Sequence, residues 1–218
     1  LPLKKSPTVV HGNALRIDWN DIVPASSLSY ILGNPPFGGK HYQSPSQRED
    51  QGAVTRSIRS GSDLDFVANW FIKAAAYVQE GQVDFAFVAT NSIVQGEQVP
   101  LLWPHLLDEA GLHIRFAHRP FKWSNEARGQ AAVHCVIIGL TKKQATPKTI
   151  FEYSDPSSEP MAVSASTINA YLIDAPSVIV RKQSSPIDGR PVMRCGSKPS
   201  DGGHLILNAE ERAELVKQ

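Results

Sequence analysis

The chain has 218 residues, 41% of them hydrophobic, which suffices for one large domain or for one domain and part of a second. Its 22 basic and 21 acidic residues leave a formal charge of +1, which argues against a uniformly basic nucleic-acid coat. Its two cysteines, Cys135 and Cys195, form no Cys-x-x-Cys pair, and no apolar run reaches about 18 residues, so a disulfide framework, a cysteine zinc site and a membrane-spanning helix are all unsupported.

The cysteine usage suits a reducing cytoplasm, the expected location. No signal-peptide pattern opens the chain, and its first residue, Leu1, is not Met, so a piece of a longer protein is expected. Charge is uneven along the chain. Between Gly111 and Lys148, the basic residues Arg115, Arg119, Lys122, Arg128, Lys142, Lys143 and Lys148 face only Glu126. A local basic strip of this kind can meet phosphates, although a solvated face explains it equally well from composition alone.

In chain order, Thr8, Val9 and Val10 read as a short strand before His11-Gly12-Asn13. Residues 28–32 read as a second strand, stopped by Gly33-Asn34-Pro35-Pro36. Residues 38–61 are poor in large apolar side chains and read as a long polar loop. Residues 63–80 read as a helix capped by Ser62 or Asp63, with Phe66, Trp70, Ala74 and Tyr77 on one apolar face and Gly81 as its stop. Residues 83–90 read as a buried strand, 100–110 as a helix stopped by Gly111, and 114–118 and 131–140 as two further strands. No helix separates those last two, so they are expected to pair antiparallel at the sheet edge. Residues 141–160 have the Lys, Thr, Ser and Pro content of a linker, and Asn208 can cap a terminal helix over 209–217. Alternating strands and helices predict an α/β domain with a mostly parallel sheet over about 1–145, followed by a partial second domain over 146–218.

Asn34-Pro35-Pro36-Phe37 directly follows an apolar strand, where ligands collect beyond the carboxyl end of a parallel sheet. Its atoms suit attack by an aromatic amine. Such a nitrogen is a poor nucleophile because its lone pair is delocalised into the ring. Two acceptors aimed at its two N–H bonds draw it toward a tetrahedral geometry. The Asn34 side-chain oxygen and the Pro35 carbonyl are candidates for those acceptors. Paired prolines hold them in place before the substrate arrives. Phe37 offers a face on which an extruded base can stack. The plain alternative is a rigid strand-to-loop turn with no catalysis.

Asn34-Pro35-Pro36-Phe37 resembles motif IV of the amino-methylating DNA methyltransferases, and His11-Gly12-Asn13-Ala14-Leu15 resembles their motif III. The usual residue at the position of Asn13 is Asp. Residues 63–76, 83–91 and 131–140 are similar to motifs V, VI and VIII. Asp65-Phe66-Val67-Ala68-Asn69-Trp70-Phe71, 90–98, 121–127 and Tyr171-Leu172-Ile173-Asp174-Ala175-Pro176 together resemble the MmeI family, over nearly the whole chain.

The resemblance implies a Rossmann-like class I methyltransferase sheet, its C-terminal half, with an antiparallel edge strand. It implies S-adenosylmethionine as cofactor and an adenine N6 amino group in double-stranded DNA as target. It further implies an endonuclease and the remaining methyltransferase and recognition parts in the same full-length chain. Asn34, Pro35, Pro36 and Phe37 become the expected catalytic residues, and Asn13, Asn34 and Asp65 the expected cofactor contacts. Lys122, Trp123 and Arg128, which mix an aromatic with basic groups, become the expected DNA contacts. The family's glycine-rich cofactor loop is not found before Asn34, so the chain by itself is expected not to hold the cofactor. Methylation of RNA or protein glutamine, and a non-catalytic recognition module, stay open. Cys135 and His134 are expected in the packed core, and the seven histidines form no metal-binding spacing.

Overall fold

The computed structural model describes residues 7–81, 83–123, 133–144, 147–183, 185–186, 190–191 and 206–217. The chain divides into two compact units, Leu1–Arg181 and Lys182–Gln218. The first holds a six-stranded sheet made of β1 (Tyr30–Gly33), β2 (Asp84–Thr90), β3 (His113–Trp123), β4 (Val133–Thr141), β5 (Lys148–Glu152) and β6 (Met161–Ala165), in the order β1-β2-β4-β3-β5-β6. β1 and β2 are parallel, while β4 is antiparallel to both β2 and β3. It follows that β1, β2 and β3 run the same way and that their carboxyl ends share one edge of the sheet. β5 is parallel to β3, and β6 closes the far side antiparallel to β5.

One face of the sheet carries the core. Phe87, Ile138, Ala117 and Ile150 stand level across four strands. Helix α2 (Ala68–Tyr77) lies on this face, its Phe71 meeting Phe87 edge-on at 5.2 Å between ring centroids. Helix α3 (Gln98–Pro104) continues into one π-helical turn, His105–Glu109, and buries Val99, Leu102, Trp103 and Leu106. Gly111 stops it at φ +64°, a conformation that costs most side chains strain and glycine almost nothing. On the opposite face Phe116 lies over Gly139, where a Cβ would come within 2.1 Å of the ring.

Several elements differ from their expectation. Thr8, Val9 and Val10 form no strand; Val9 is 86% exposed and has no ladder to join. The expected polar loop 38–61 contains helix α1 (Pro45–Val54). The helix expected to start at Asp63 starts at Ala68, after a 3-10 turn over Gly61–Asp63. Its most buried residues are Ala68, Asn69, Phe71, Ile72, Ala74 and Ala75, while Trp70 and Tyr77 are only partly buried. The β3–β4 pair is antiparallel as expected but lies inside the sheet, because the supposed linker 141–160 supplies β5, which pairs with β3. The antiparallel edge strand is β6. In the second unit, Asn208 caps α4 (Ala209–Leu215) by a reciprocal box with Glu211.

Candidate active site at the carboxyl edge of the sheet

β1 ends at Gly33 and delivers Asn34-Pro35-Pro36-Phe37 onto the carboxyl edge. Pro35 is buried and Phe37 half-buried against the core, so the loop is anchored by its apolar members. Asn34 is exposed, and its side chain has no hydrogen-bond partner among the described residues. The main chain past the motif is fixed just as firmly. The Gly38 carbonyl accepts the Phe66 N–H at 2.7 Å, and the Lys40 N–H donates to Asp65 Oδ1 at 3.2 Å.

Asp65 is the hub of this region. Its second carboxylate oxygen accepts the Ser92 hydroxyl. Since that proton is committed, the 2.8 Å contact between Thr90 and Ser92 must have the Thr90 hydroxyl donating. The Asp65 N–H donates to Gln98 Oε1 at 2.8 Å, and Gln98 Nε2 donates to the Asp63 carbonyl at 2.8 Å. The ends of β1 and β2 are thereby tied together through one carboxylate. A cleft of about 320 Å³ lies alongside, lined by Gly39–Tyr42 on one side and Ser92 and Gln95–Gln98 on the other, with Asp63 and Asp65.

Asn13 stands apart from that hub. Its Oδ1 accepts the Leu15 N–H at 2.9 Å, and its Nδ2 donates to Asp50 Oδ2 at 2.8 Å. Asp50 is 5% exposed and also paired with Arg16, so Asn13 fastens the start of the chain to α1. Its oxygen keeps one lone pair. Asn91, just past the end of β2, has a buried Oδ1 with no hydrogen-bond partner among the described residues. Unspent acceptors on Asn34, Asn13 and Asn91 fit a ligand rich in N–H and O–H donors, as the amino, hydroxyl and ammonium groups of S-adenosylmethionine are.

Lys122 and Trp123 end β3 on the same carboxyl edge. Lys122 is exposed and its N–H is held by the Pro156 carbonyl at 2.7 Å, while Trp123 is half-buried beside Phe121, ring centroids 5.9 Å apart. Three strand spacings separate β1 from β3, roughly 14 Å. Arg128 lies outside the described residues. His118 stacks on Phe151 at 4.2 Å, and its Nδ1 meets the Tyr153 hydroxyl at 2.8 Å. Burial lowers its pKa, so the ring is neutral near pH 7. Of the two β4 residues expected in the core, Cys135 is buried and its thiol pushed up to about 11, whereas His134 is exposed.

The sequence marks Asn34, Phe37 and Asp65, and sets Asn91, Ser92 and Gln95 past a strand end as pocket-shaping or helix-capping residues, but does not reveal the part Gln98 plays. No spacing pattern links Asp65 to Gln98, which meet only in the fold. Among the described residues no His, Cys, Asp or Glu cluster could hold a metal ion, and no helix is long and apolar enough to cross a membrane.

Parallel strands with an antiparallel β4 slotted between β2 and β3, and loops gathered on the carboxyl edge, define a Rossmann-like methyltransferase sheet. The MmeI DNA-methyltransferase domain matches residues 1–152, and the MmeI target recognition domain matches residues 174–218. The chain belongs to the MmeI family. It is 33% identical over 220 residues to DNA methyltransferase A of Bacillus subtilis (strain 168), covering 100% of the chain and 24% of that protein. It also matches the solved structure of the Type IIL restriction-modification enzyme MmeI in complex with DNA, at 50% sequence identity and a TM-score of 0.91. That match covers 100% of the chain and 29% of MmeI, so the chain spans under a third of either relative.

Proposed function

We propose that the full-length protein is a site-specific DNA methyltransferase within a fused restriction-modification enzyme, acting on the N6 amino group of an adenine flipped out of double-stranded DNA. The observation that carries this reading is an exposed Asn34 with an uncommitted side chain, on a loop held by the buried Pro35, at the carboxyl end of β1. S-adenosylmethionine would supply the electrophilic methyl group. The Asn34 side-chain oxygen and the Pro35 carbonyl accept the two N–H bonds of the target amine and localise its lone pair for in-line attack. Pro36 stiffens the loop, and Phe37 stacks on the extruded base. Asn13 and Asn34 contribute acceptors toward the cofactor. The Asp65 carboxylate is already bonded to Lys40 and Ser92, so its role is to hold the cleft wall on which the cofactor rests.

Lys122 and Trp123, at the β3 end of the same edge, meet the DNA together with Arg128. The catalytic part runs through about residue 145 and the recognition part begins within 146–218; β5 and β6 are then a shared seam, built on the catalytic sheet from residues after that point. The remaining cofactor site, the endonuclease and most of the recognition domain belong to the rest of the protein, which is expected in the cytoplasm.

The test is to incubate purified full-length protein with duplex DNA and isotopically labelled S-adenosylmethionine, digest the DNA to nucleosides and separate them. Label in N6-methyl-2′-deoxyadenosine is the expected result. Label in a cytosine derivative would overturn the choice of base, and label only in RNA or protein would overturn the DNA reading.

A further inference from the structure

The segment that follows the catalytic motif is neither loose nor apolar. Its inner side is fastened by buried amides. Gln43 is 5% exposed and donates to the Leu64 carbonyl at 3.2 Å, and Gln51 is 2% exposed and donates to the Gly61 and Leu64 carbonyls at 2.9 and 3.0 Å. Ser44 caps α1 through a reciprocal box with Gln47, and Pro45 begins the helix. A turn closed by the Tyr42 N–H on the Gly39 carbonyl at 2.8 Å joins this helix to the catalytic loop.

The outer side of the same segment has a different character. Tyr42 is 89% exposed, an aromatic ring standing in water on a turn closed by its own N–H. Arg48, Arg56 and Arg59 are all exposed, and none has an ion-pair partner among the described residues. The two acidic residues of the helix, Glu49 and Asp50, make their ion pairs with Arg16 and with none of these three arginines. An exposed aromatic before α1 and exposed guanidinium groups on and after it are side chains that suit nucleic acid: the ring has a face for a base, and the cations replace counterions at phosphate. The turn begins two residues beyond Phe37, on the β1 side of the edge, whereas Lys122 and Trp123 occupy its β3 side.

We propose that residues 39–60 are a second DNA-contacting element of the catalytic part, in which Tyr42 stacks on a base left unstacked where the target duplex is opened and Arg48, Arg56 and Arg59 lie against its phosphates. The proposal rests on the DNA-methyltransferase reading above. The catalytic loop and this element are then one continuous, hydrogen-bonded stretch, so that gripping the duplex also places Asn34 and Phe37 against it.

The experiment uses the full-length protein and a duplex carrying a site that the wild-type protein has been shown to methylate. Tyr42→Ala is expected to raise KM for DNA and the Kd of the complex roughly 5- to 150-fold, the worth of one base stack, with the loss in KM rather than kcat. Tyr42→Phe, which keeps the ring, restores binding. Since Tyr42 is almost wholly exposed, its truncation leaves no cavity and the fold is expected to survive. The triple variant Arg48→Gln, Arg56→Gln, Arg59→Gln should make the slope of log K against log salt shallower by about 2.7. Wild-type KM in Tyr42→Ala, or an unchanged salt slope in the triple variant, overturns the proposal. If the wild-type protein methylates no DNA at all, the functional reading fails first, and that outcome is distinct from active variants with unaltered binding.

Discussion

Phe37 rests against the core yet keeps part of its ring exposed, which is what a stacking platform requires: fixed on one side and open on the other. Phe37→Ala is expected to cost ~1–3 kcal/mol in kcat/KM for DNA, the worth of one base–aromatic contact, and Phe37→Tyr much less. Equal losses in the two variants would remove the stacking role. Asp65 illustrates a different kind of residue. Its carboxylate touches a backbone amide from the loop after the catalytic motif and a hydroxyl from beyond β2, so it sets where the two strand ends sit. Cys135 contributes no chemistry, since burial holds its thiol neutral with a pKa of about 11, leaving it a small apolar member of the sheet.

Among the elements, the knot after β6 carries a pH-dependent prediction. Asp174 accepts the backbone N–H groups of Ser166 and Thr167 and the Ser166 hydroxyl, and those bonds, the Thr167 amide first, hold its carboxyl below the usual carboxylate range. A depressed folded pKa means the contribution to stability is complete above the ordinary carboxylate value of about 3.9 and is lost as pH falls through the folded value. Hydrogen-exchange protection of Ser166 and Thr167, corrected for intrinsic rates, should therefore hold from neutrality down to about pH 4 and fall on further acidification. In Asp174→Asn it should be low already at pH 7. Protection that does not change with either treatment would mean the carboxylate does not organise the knot. What the sequence showed of these elements depended on what holds each one. Helices α2 and α3 and strands β2 and β4 bury apolar side chains and were legible. Helix α1 buries Asp50 and Gln51 instead, so hydrophobic periodicity is silent there, although Ser44-Pro45-Ser46-Gln47 carries a capping signal. Strand β3, read from the sequence as 114–118, continues past Pro120 to Trp123 through a register shift between His118 and Phe121, which accommodates a proline that has no N–H for the ladder. Strand β5 was hidden because its neighbours in sequence are Lys, Thr and Pro.

At the scale of the whole molecule, the fold class and the position of the catalytic motif were both legible because they rest on the same fact: an apolar strand running straight into Asn34-Pro35-Pro36-Phe37. The sheet order was not legible, since β3 reaches the active edge only because β4 turns back between it and β2. That arrangement brings the ends of β1, β2 and β3 to one side, with the uncommitted Asn34 and Asn91 acceptors and the exposed Lys122 arrayed along it. The central claim is that this edge transfers a methyl group to DNA through Asn34. It is tested most directly by comparing Asn34→Ala with wild type in the full-length protein, measuring labelled methyl incorporation and DNA affinity on the same duplex. The expected result is a loss of ~10²–10³-fold in the rate of incorporation, with affinity close to wild type, because the side chain aligns the amine and contributes little to holding the duplex. Incorporation at a near wild-type rate by Asn34→Ala would contradict it.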